Sequence, residues 1–414
     1  MSTSTSSFST KLPCEIIDEI IDQVHDTGNN VDMKNCALVC RDWLPRARTN
    51  LFRNFNFPRR IPWSWQTDSA RFRDSLASLA EDIKSSPLKP PYSSVVRNLI
   101  IRAPLLITPP SHAEPLLPQL PFNNLRSLDL SSPANVFDLT SIHSLLENNP
   151  HLENLSLRSF ECSLNHFLRF CSMIAAGHTS LSSLKVGYFT TRAPDPTNSW
   201  DLPLDTALST STPVAEHPPC LRSLSVDTSF NPRKDLETWM EPFFTMHQHF
   251  FNLSSLRCLT LPSNVPSNHP LIFQRCGPSL THLVLTWFSS TFFSPSVVSS
   301  FKHLIKLVDL TLLEIVGKDI SEGTLAILKD ILAIVQQLEH LCLEFASSTF
   351  GDHGLHQIDN LLDSLLQTVG TTGLKKLTLR ISTLRNVTED EILAHLPAIS
   401  GRVSVEILYH GPVY

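Results

Sequence analysis

Glycine is scarce in this chain, which has 12 glycines among its 414 residues. Glycine makes up about 7% of typical sequences, so its share here is less than half of the usual one. Neither G-x-G-x-x-G nor G-x-x-x-x-G-K-[ST] occurs. Phosphate-cradling loops of these two kinds, and the nucleotide-dependent enzymes that carry them, are therefore not indicated.

Long apolar runs and an excess of positive charge are missing as well. No stretch reaches about 18 consecutive apolar residues, so the sequence predicts no membrane span. The start, MSTSTSSFSTKL, lacks the basic and apolar segments of a secretory signal. The net charge of −6 excludes a strongly basic nucleic-acid binder. We expect a cytoplasmic or nuclear protein with neither nucleic-acid nor membrane partners.

Metal-binding and catalytic motifs are also absent from the sequence. The nine cysteines form no C-x-x-C pair, and the 17 histidines form no H-E-x-x-H motif. Because zinc sites need such ligand spacings, we expect no metal and no other cofactor. We interpret the cysteines as buried free thiols of a reducing compartment, with Cys36 and Cys40 on one helix face. We expect no enzymatic activity, although a Ser-His-Asp arrangement of residues distant in sequence stays open.

One motif, Leu-x-x-Leu-x-Leu, recurs along most of the chain. Its nine strong copies begin at Leu125, Leu152, Leu181, Leu221, Leu256, Leu280, Leu307, Leu338 and Leu374. A weaker copy begins at Val96, and a closing strand, VSVEIL, begins at Val403. The strong copies start 24 to 40 residues apart, which is typical of stacked repeats and resembles the leucine-rich type. The polar Asn that usually follows such a motif is almost absent, so we expect an irregular version.

Each copy predicts a strand followed by a helix. Because side chains of a strand alternate between its faces, the fourth and sixth residues of the motif point into a core, and the third and fifth point outward. Helical stretches are predicted over 138–148, 164–177, 235–250, 322–337, 355–370 and 388–396. Thr388 and Glu391 predict a capping box at the last of them. The fold class is therefore α/β, a solenoid with parallel strands on its concave face and helices outside.

Residues 11–55 carry a different pattern, that of a compact helical module. It predicts one helix running to about residue 24, a second over 32–41 and a third around Trp43. The first two are joined by a long link over 25–35. Three short helices cannot cover apolar residues on several of their sides, so we expect a surface that docks on a partner.

This segment resembles the F-box family, through the start Leu-Pro-x-Glu, the isoleucines at 16, 17, 20 and 21, and the end Leu-Val-Cys-x-x-Trp. The resemblance implies binding to the adaptor subunit of an SCF-type cullin ubiquitin ligase. It assigns the adaptor surface to Leu12, Pro13, Glu15, Ile16, Ile20, Leu38, Val39 and Trp43. The link of 25–35 is longer than the family's common turn. The alternative is that these residues only form the core of a small bundle.

Composition divides the chain further. Residues 1–10 are rich in Ser and Thr, and we expect them to be disordered. Residues 56–94 form a connector with an amphipathic helix at about 67–85. Residues 95–414 form the solenoid, interrupted by a loop at about 190–219 that is rich in Pro, Ser and Thr.

The outward positions of the strands predict a polar recognition surface. By parity they are Ser127, Asp129, Asn154, Ser156, Arg158, Ser183, Lys185, Ser223, Ser225, Asp227, Thr260, His282, Thr286, Asp309, Thr311, His340, Glu344, Lys376, Thr378 and Arg380. Cations suit acidic or phosphorylated segments, so Arg158, Lys185, Lys376 and Arg380 are the candidate target-binding residues, together with Trp200 in the long loop.

These features predict a substrate-recognition subunit of an SCF-type ubiquitin ligase, with an F-box that binds the adaptor and repeats that bind a target protein. The alternative is a protein-interaction scaffold that keeps the repeat surface and does not join a ligase. A hydrolase would instead need a deep pocket where histidine and carboxylate groups converge.

Overall fold

The computed structural model divides the chain into two compact units, residues 1–152 and 153–414. The structure describes residues 13–26, 30–57, 69–85, 91–102, 120–131, 139–158, 161–187, 190–191, 218–227, 250–262, 269–286, 293–315, 322–345, 352–368, 373–382 and 388–410. Each unit combines helices with parallel strands, as predicted. The predicted tail of residues 1–10, Leu12, Trp200 and most of the 190–219 loop lie outside the described residues.

The first unit begins with helices and continues with strands. Its helices are α1 (Cys14–Asp26), α2 (Asn30–Val39), α3 (Leu44–Arg53), α4 (Ser69–Ser85), α5 (Tyr92–Val95) and α6 (Leu139–Glu147). Its strands are β1 (Asn54–Phe57), β2 (Asn98–Arg102) and β3 (Ser127–Ser131). β2 pairs with β1 on one side and with β3 on the other, both in parallel.

The first two helices lie closer in sequence than predicted. α1 extends to Asp26 and α2 already begins at Asn30, so residues 27–29 alone separate them. The long link expected over 25–35 was therefore wrong. α2 also ends at Val39, which leaves Cys40 exposed beyond the helix while Cys36 is buried. The prediction that these two cysteines share one helix face was wrong for that reason.

α4 is the amphipathic helix predicted at about 67–85. Phe72, Leu76 and Ile83 are buried along one of its sides. The Phe72 ring lies 5.7 Å from the ring of Phe57 on β1. Strand β1 was not predicted, because its sequence NFNF lacks the leucine motif, and it pairs with β2 as a further parallel strand. The predicted boundaries at residues 55 and 95 remain predictions.

The second unit holds a nine-stranded parallel arrangement and a separate two-stranded sheet. Its strands are β4 (Asn154–Arg158), β5 (Glu161–Cys162), β6 (Ser183–Gly187), β7 (Thr190–Thr191), β8 (Ser223–Asp227), β9 (Cys258–Pro262), β10 (His282–Thr286), β11 (Asp309–Ile315), β12 (His340–Phe345), β13 (Lys376–Ser382) and β14 (Ser404–His410). The larger sheet follows the order β4-β6-β8-β9-β10-β11-β12-β13-β14, and β5 pairs with β7.

Helices and one 3-10 helix connect the strands of the second unit. They are α7 (Leu164–Gly177), α8 (His269–Cys276), α9 (Pro295–Ser300), the 3-10 helix Phe301–His303, α10 (Glu322–Ile334), α11 (Asp352–Thr368), α12 (Glu389–Ala394) and α13 (Pro397–Ser400). α7, α10, α11 and α12 were predicted from the spacing of apolar residues, whereas α8 and α9 were not. The capping box of Thr388 and Glu391 is confirmed. All but the last residue of the predicted helix over 235–250 lie outside the described residues.

The burial of the strands confirms the predicted phase of the leucine motif. On β10, Leu283 and Leu285 are fully buried while Val284 between them is half-exposed. Neighbouring copies pair in register, so that Leu283 lies beside Leu259 of β9 and Leu310 of β11. Each strand therefore adds two apolar side chains to a core that continues from repeat to repeat, which no single repeat could build alone.

The cysteines are free thiols wherever the structure describes their side chains, but only half of them are buried. Cys36, Cys171, Cys276 and Cys342 are buried, and Cys14, Cys40, Cys220 and Cys258 are exposed. The prediction of buried thiols was thus wrong for the second group. Burial raises the pKa of the Cys276 thiol to about 12 and raises that of Cys171 as well, so both stay protonated at neutral pH.

Candidate functional site

Helices α1, α2 and α3 share a small apolar core. Ile21 of α1, Met33 and Cys36 of α2 and Ala47 of α3 form its buried part. Trp43, in the turn before α3, is half-buried and packs against this cluster. The module is therefore held together mainly from its inner side, which leaves the outer sides of α1 and α2 available.

A polar clamp joins α1 to α3. Asp22 Oδ1 accepts a hydrogen bond of 2.7 Å from Arg46 Nε and another of 2.7 Å from Asn50 Nδ2. The second Arg46 nitrogen pairs with Asp22 Oδ2. The hydrogen bonds from Arg46 lower the pKa of the Asp22 carboxyl, against the opposing effect of partial burial. This fork fixes the relative positions of α1 and α3.

The outer sides of α1 and α2 expose large apolar side chains. The exposed fractions are 43% for Ile16, 36% for Ile20, 64% for Val31, 83% for Leu38 and 60% for Val39. We call these five residues the apolar stripes. Within the part of the chain that the structure describes, only Ile305 and Leu408 are comparable exposed large hydrophobics. Ile16 and Ile20 lie one helical turn apart on α1, and Val31 lies two turns before Leu38 on α2. Each helix therefore presents one stripe.

Six of the eight residues assigned to adaptor binding are exposed on this module, namely Pro13, Glu15, Ile16, Ile20, Leu38 and Val39. Pro13 and Glu15 are exposed at the start of α1, where the Pro13 carbonyl accepts hydrogen bonds from the amides of Ile16 and Ile17. Hydrogen bonds from its own amide and from Cys14 lower the pKa of Glu15. Trp43 differs, because it packs inward and supports the module. Val31 was missed, because it lies outside the residues that the F-box resemblance assigns to the adaptor surface.

The outward positions of the strands form a second surface, mostly of half-buried polar side chains, as parity predicted. Two positions depart from that expectation. Thr286 and Thr378 are buried, with exposed fractions of 8% and 2%.

At the C-terminal end of this surface the charges neutralise each other. Lys376 Nζ lies 2.9 Å from Glu406 Oε2 on β14, and Arg380 Nη1 lies 3.5 Å from Glu344 Oε2 on β12. Two of the four cations predicted to bind a target are therefore already paired. Aligning the motif copies would have predicted the pair of Lys376 and Glu406. The alignment places Glu406 beside Thr378, which is two residues from Lys376 on the same strand.

A hydrogen-bonded line crosses the same strands. His340 Nδ1 lies 2.9 Å from Asp309 Oδ2, and His340 Nε2 lies 2.8 Å from Thr378 Oγ1. Thr378 donates to Glu406 Oε2 at 3.1 Å, so its only proton points away from the imidazole. The order Asp-His-Thr resembles that of a catalytic triad, but Thr378 is buried and its hydroxyl donates to Glu406 rather than to His340.

At the N-terminal end of the surface, Arg158 on β4 and Lys185 on β6 are half-buried. They lie on neighbouring strands but two residues apart in register, because Arg158 pairs with Gly187 and Lys185 with Ser156. The structure therefore places these two predicted cations close to each other and away from Lys376 and Arg380 along the sheet order.

No group of three His, Cys, Asp or Glu side chains in the described ranges could hold a metal ion. None of the helices in the same ranges is both long and apolar enough to span a bilayer.

No protein-family model matches the chain, and no curated protein is similar to it at a significant level.

Proposed function

We propose that this protein is the substrate-recognition subunit of an SCF-type cullin ubiquitin ligase, with an F-box-like module in α1–α3 and leucine-rich repeats in the strands and helices that follow. The observation that carries the proposal is the exposure of the apolar stripes, above all Leu38 and Val39 at the end of α2. The resemblance of residues 11–55 to the F-box family assigns both residues to the adaptor surface.

Energetic considerations support a docking role for the stripes. Burial of a side chain such as Leu or Val is worth about 1.5–3 kcal/mol. The module already has its own core around Ile21 and Met33, so the stripes are not needed to fold it. Exposed apolar side chains concentrated on two helices of one module are typical of a surface that a partner covers.

The proposed mechanism is tethering. The module holds the adaptor, and the polar strand surface of the second unit holds a target protein. Holding both raises the effective concentration of target lysines near the ubiquitin-carrying enzyme. None of the chain's own residues has to make or break a bond in this mechanism.

The test is a calorimetric titration of the purified adaptor into the full-length chain. We expect the double variant Leu38→Asp/Val39→Asp to weaken binding at least about 100-fold, because it removes two buried contacts and places carboxylates in an apolar interface. Ile305→Asp is the matched control, since Ile305 is 56% exposed but lies in the second unit. Equal affinity of wild type and the double variant would refute the proposal.

The competing function, a scaffold outside any ligase, depended on the long link expected between the first two helices. Only residues 27–29 separate α1 from α2, so this support is gone. The same titration distinguishes the two functions, because a scaffold predicts no adaptor binding by the wild-type chain.

A further inference from the structure

Two histidines from different helices lie together near the C-terminal end of the second unit. His356 lies on α11, and His395 is the residue that follows α12. His395 Nδ1 lies 3.2 Å from His356 Nε2, and the planes of the two rings are 80° apart. Because the residues are 39 positions apart in the sequence, no spacing motif could reveal the pair.

The separation of these two nitrogens is close to the one that a shared zinc ion requires. Zn²⁺ lies about 2.0–2.1 Å from each histidine nitrogen and prefers tetrahedral angles. Two nitrogens on one such ion are therefore about 3.3–3.4 Å apart. The observed distance of 3.2 Å is slightly shorter, so only a small movement of the rings would admit the ion.

Buried neighbours hold both histidines in place. Leu355 and Leu396, which adjoin them in sequence, are 4% and 0% exposed. One turn after the first histidine, the carboxylate of Asp359 accepts hydrogen bonds of 3.2 and 2.9 Å from two amides at the start of α13. The fold therefore fixes the backbone positions of both rings before any ion binds, which favours metal binding.

The surrounding charges favour a cation. The segments 352–368 and 388–400 contain no Lys or Arg, and they contain six carboxylates, which are Asp352, Asp359, Asp363, Glu389, Asp390 and Glu391. Arg402 lies beyond these segments and pairs with Asp363 at 3.2 Å. Imidazole nitrogens select Zn²⁺ over Mg²⁺ and Ca²⁺, which prefer oxygen ligands. Within the described ranges no third ligand joins the pair, so water would complete the coordination.

We propose that His356 and His395 bind Zn²⁺ through Nε2 and Nδ1, with water in the remaining positions of the tetrahedron. The ion links α11 to the residue after α12 and stabilises the packing of these two segments. The site goes beyond the proposed function, because it needs neither the adaptor nor a target protein.

Hydrogen exchange of the full-length chain with and without zinc chloride tests the site. Peptides covering residues 352–368 and 388–400 should exchange at least about tenfold more slowly at saturating zinc, because the ion binds only the closed form. Magnesium chloride should have no such effect. His356→Ala and His395→Ala should each abolish the slowing. His151→Ala is the matched control, because it removes an exposed histidine of the first unit and should preserve the slowing.

Several results would overturn the proposal. They are unchanged exchange of the wild-type chain in zinc, equal slowing by zinc and magnesium, and slowing that persists in either histidine variant. Slowing confined to peptides around the exposed thiols of Cys220 and Cys258 would also overturn it, since zinc would then bind cysteine instead. Peptides covering residues 282–286 report whether the variants fold. Lost zinc response with unchanged exchange there supports the site, and faster exchange there in both variants contradicts it.

Discussion

Replacement of Asn149 is expected to destabilise the first unit strongly. The side chain is 1% exposed and makes three hydrogen bonds to backbone groups. Its Oδ1 accepts from the Leu125 amide at 2.7 Å, and its Nδ2 donates to the carbonyls of Phe122 at 2.9 Å and Leu145 at 2.8 Å. It thereby ties the chain before β3 to the end of α6.

Asn149→Ala removes all three bonds and leaves a buried amide and two carbonyls with fewer partners. At about 1 kcal/mol for each bond, the free energy of unfolding should fall by about 3 kcal/mol. That loss corresponds to about a 100-fold change in the unfolding equilibrium constant. For a unit of this size the melting temperature should fall by about 6–12 °C.

Hydrogen exchange followed by mass spectrometry tests this prediction locally. Peptides covering residues 120–131 should exchange about 100-fold faster in Asn149→Ala than in the wild-type chain. Asn148→Ala is the matched control, because the Asn148 side chain is exposed and bonds only to the Ser144 carbonyl at 3.1 Å. Equal exchange rates in the two variants would refute the reasoning, since burial of the bonds would then not matter.

Three further predictions concern single positions. Gly277→Ala should lower the free energy of unfolding, measured in urea, by about 2–3 kcal/mol, because the added Cβ would lie 2.5 Å from the His303 carbonyl oxygen. Gly401→Ala is the control, because its added Cβ meets open space and should leave that free energy unchanged. Because the pKa of Asp22 is lowered in the folded protein, the stability that its carboxylate contributes is present above about pH 4 and is lost as the pH falls through the folded-state pKa. The difference in the free energy of unfolding between wild type and Asp22→Asn should therefore shrink from about pH 6 to about pH 3. Thr388→Ala should cost about 1 kcal/mol through loss of the helix cap, and an unchanged melting temperature would contradict that role.

The strands could be predicted from sequence because a single physical rule determines them. In LTHLVL, which begins at Leu280, the alternation alone identifies Leu283 and Leu285 as buried, and they are. β1 escaped prediction because its phenylalanines are only half-buried and carry no leucine motif. α9 escaped because its six residues are too few for apolar periodicity to register, and its cap, Ser294, lacks the glutamate that marked the start of the equally short α12.

The site was less predictable, because side-chain pairing depends on register between distant segments. Lys376 was interpreted as a free anchor, yet Glu406, 30 positions later in the sequence, occupies the adjoining strand and binds it. The end of α2 shows a related effect. This helix ends at Val39 rather than at residue 41, where the sequence predicted its end. Leu38 and Val39 are therefore its last two residues, and both are exposed.

Hydrogen exchange of the full-length chain with and without the purified adaptor tests the central claim most directly. The account predicts that adaptor binding slows exchange in peptides covering residues 13–43 and leaves peptides covering 269–315 unchanged. Slower exchange confined to the strand peptides of the second unit, or no change anywhere at saturating adaptor, would contradict it.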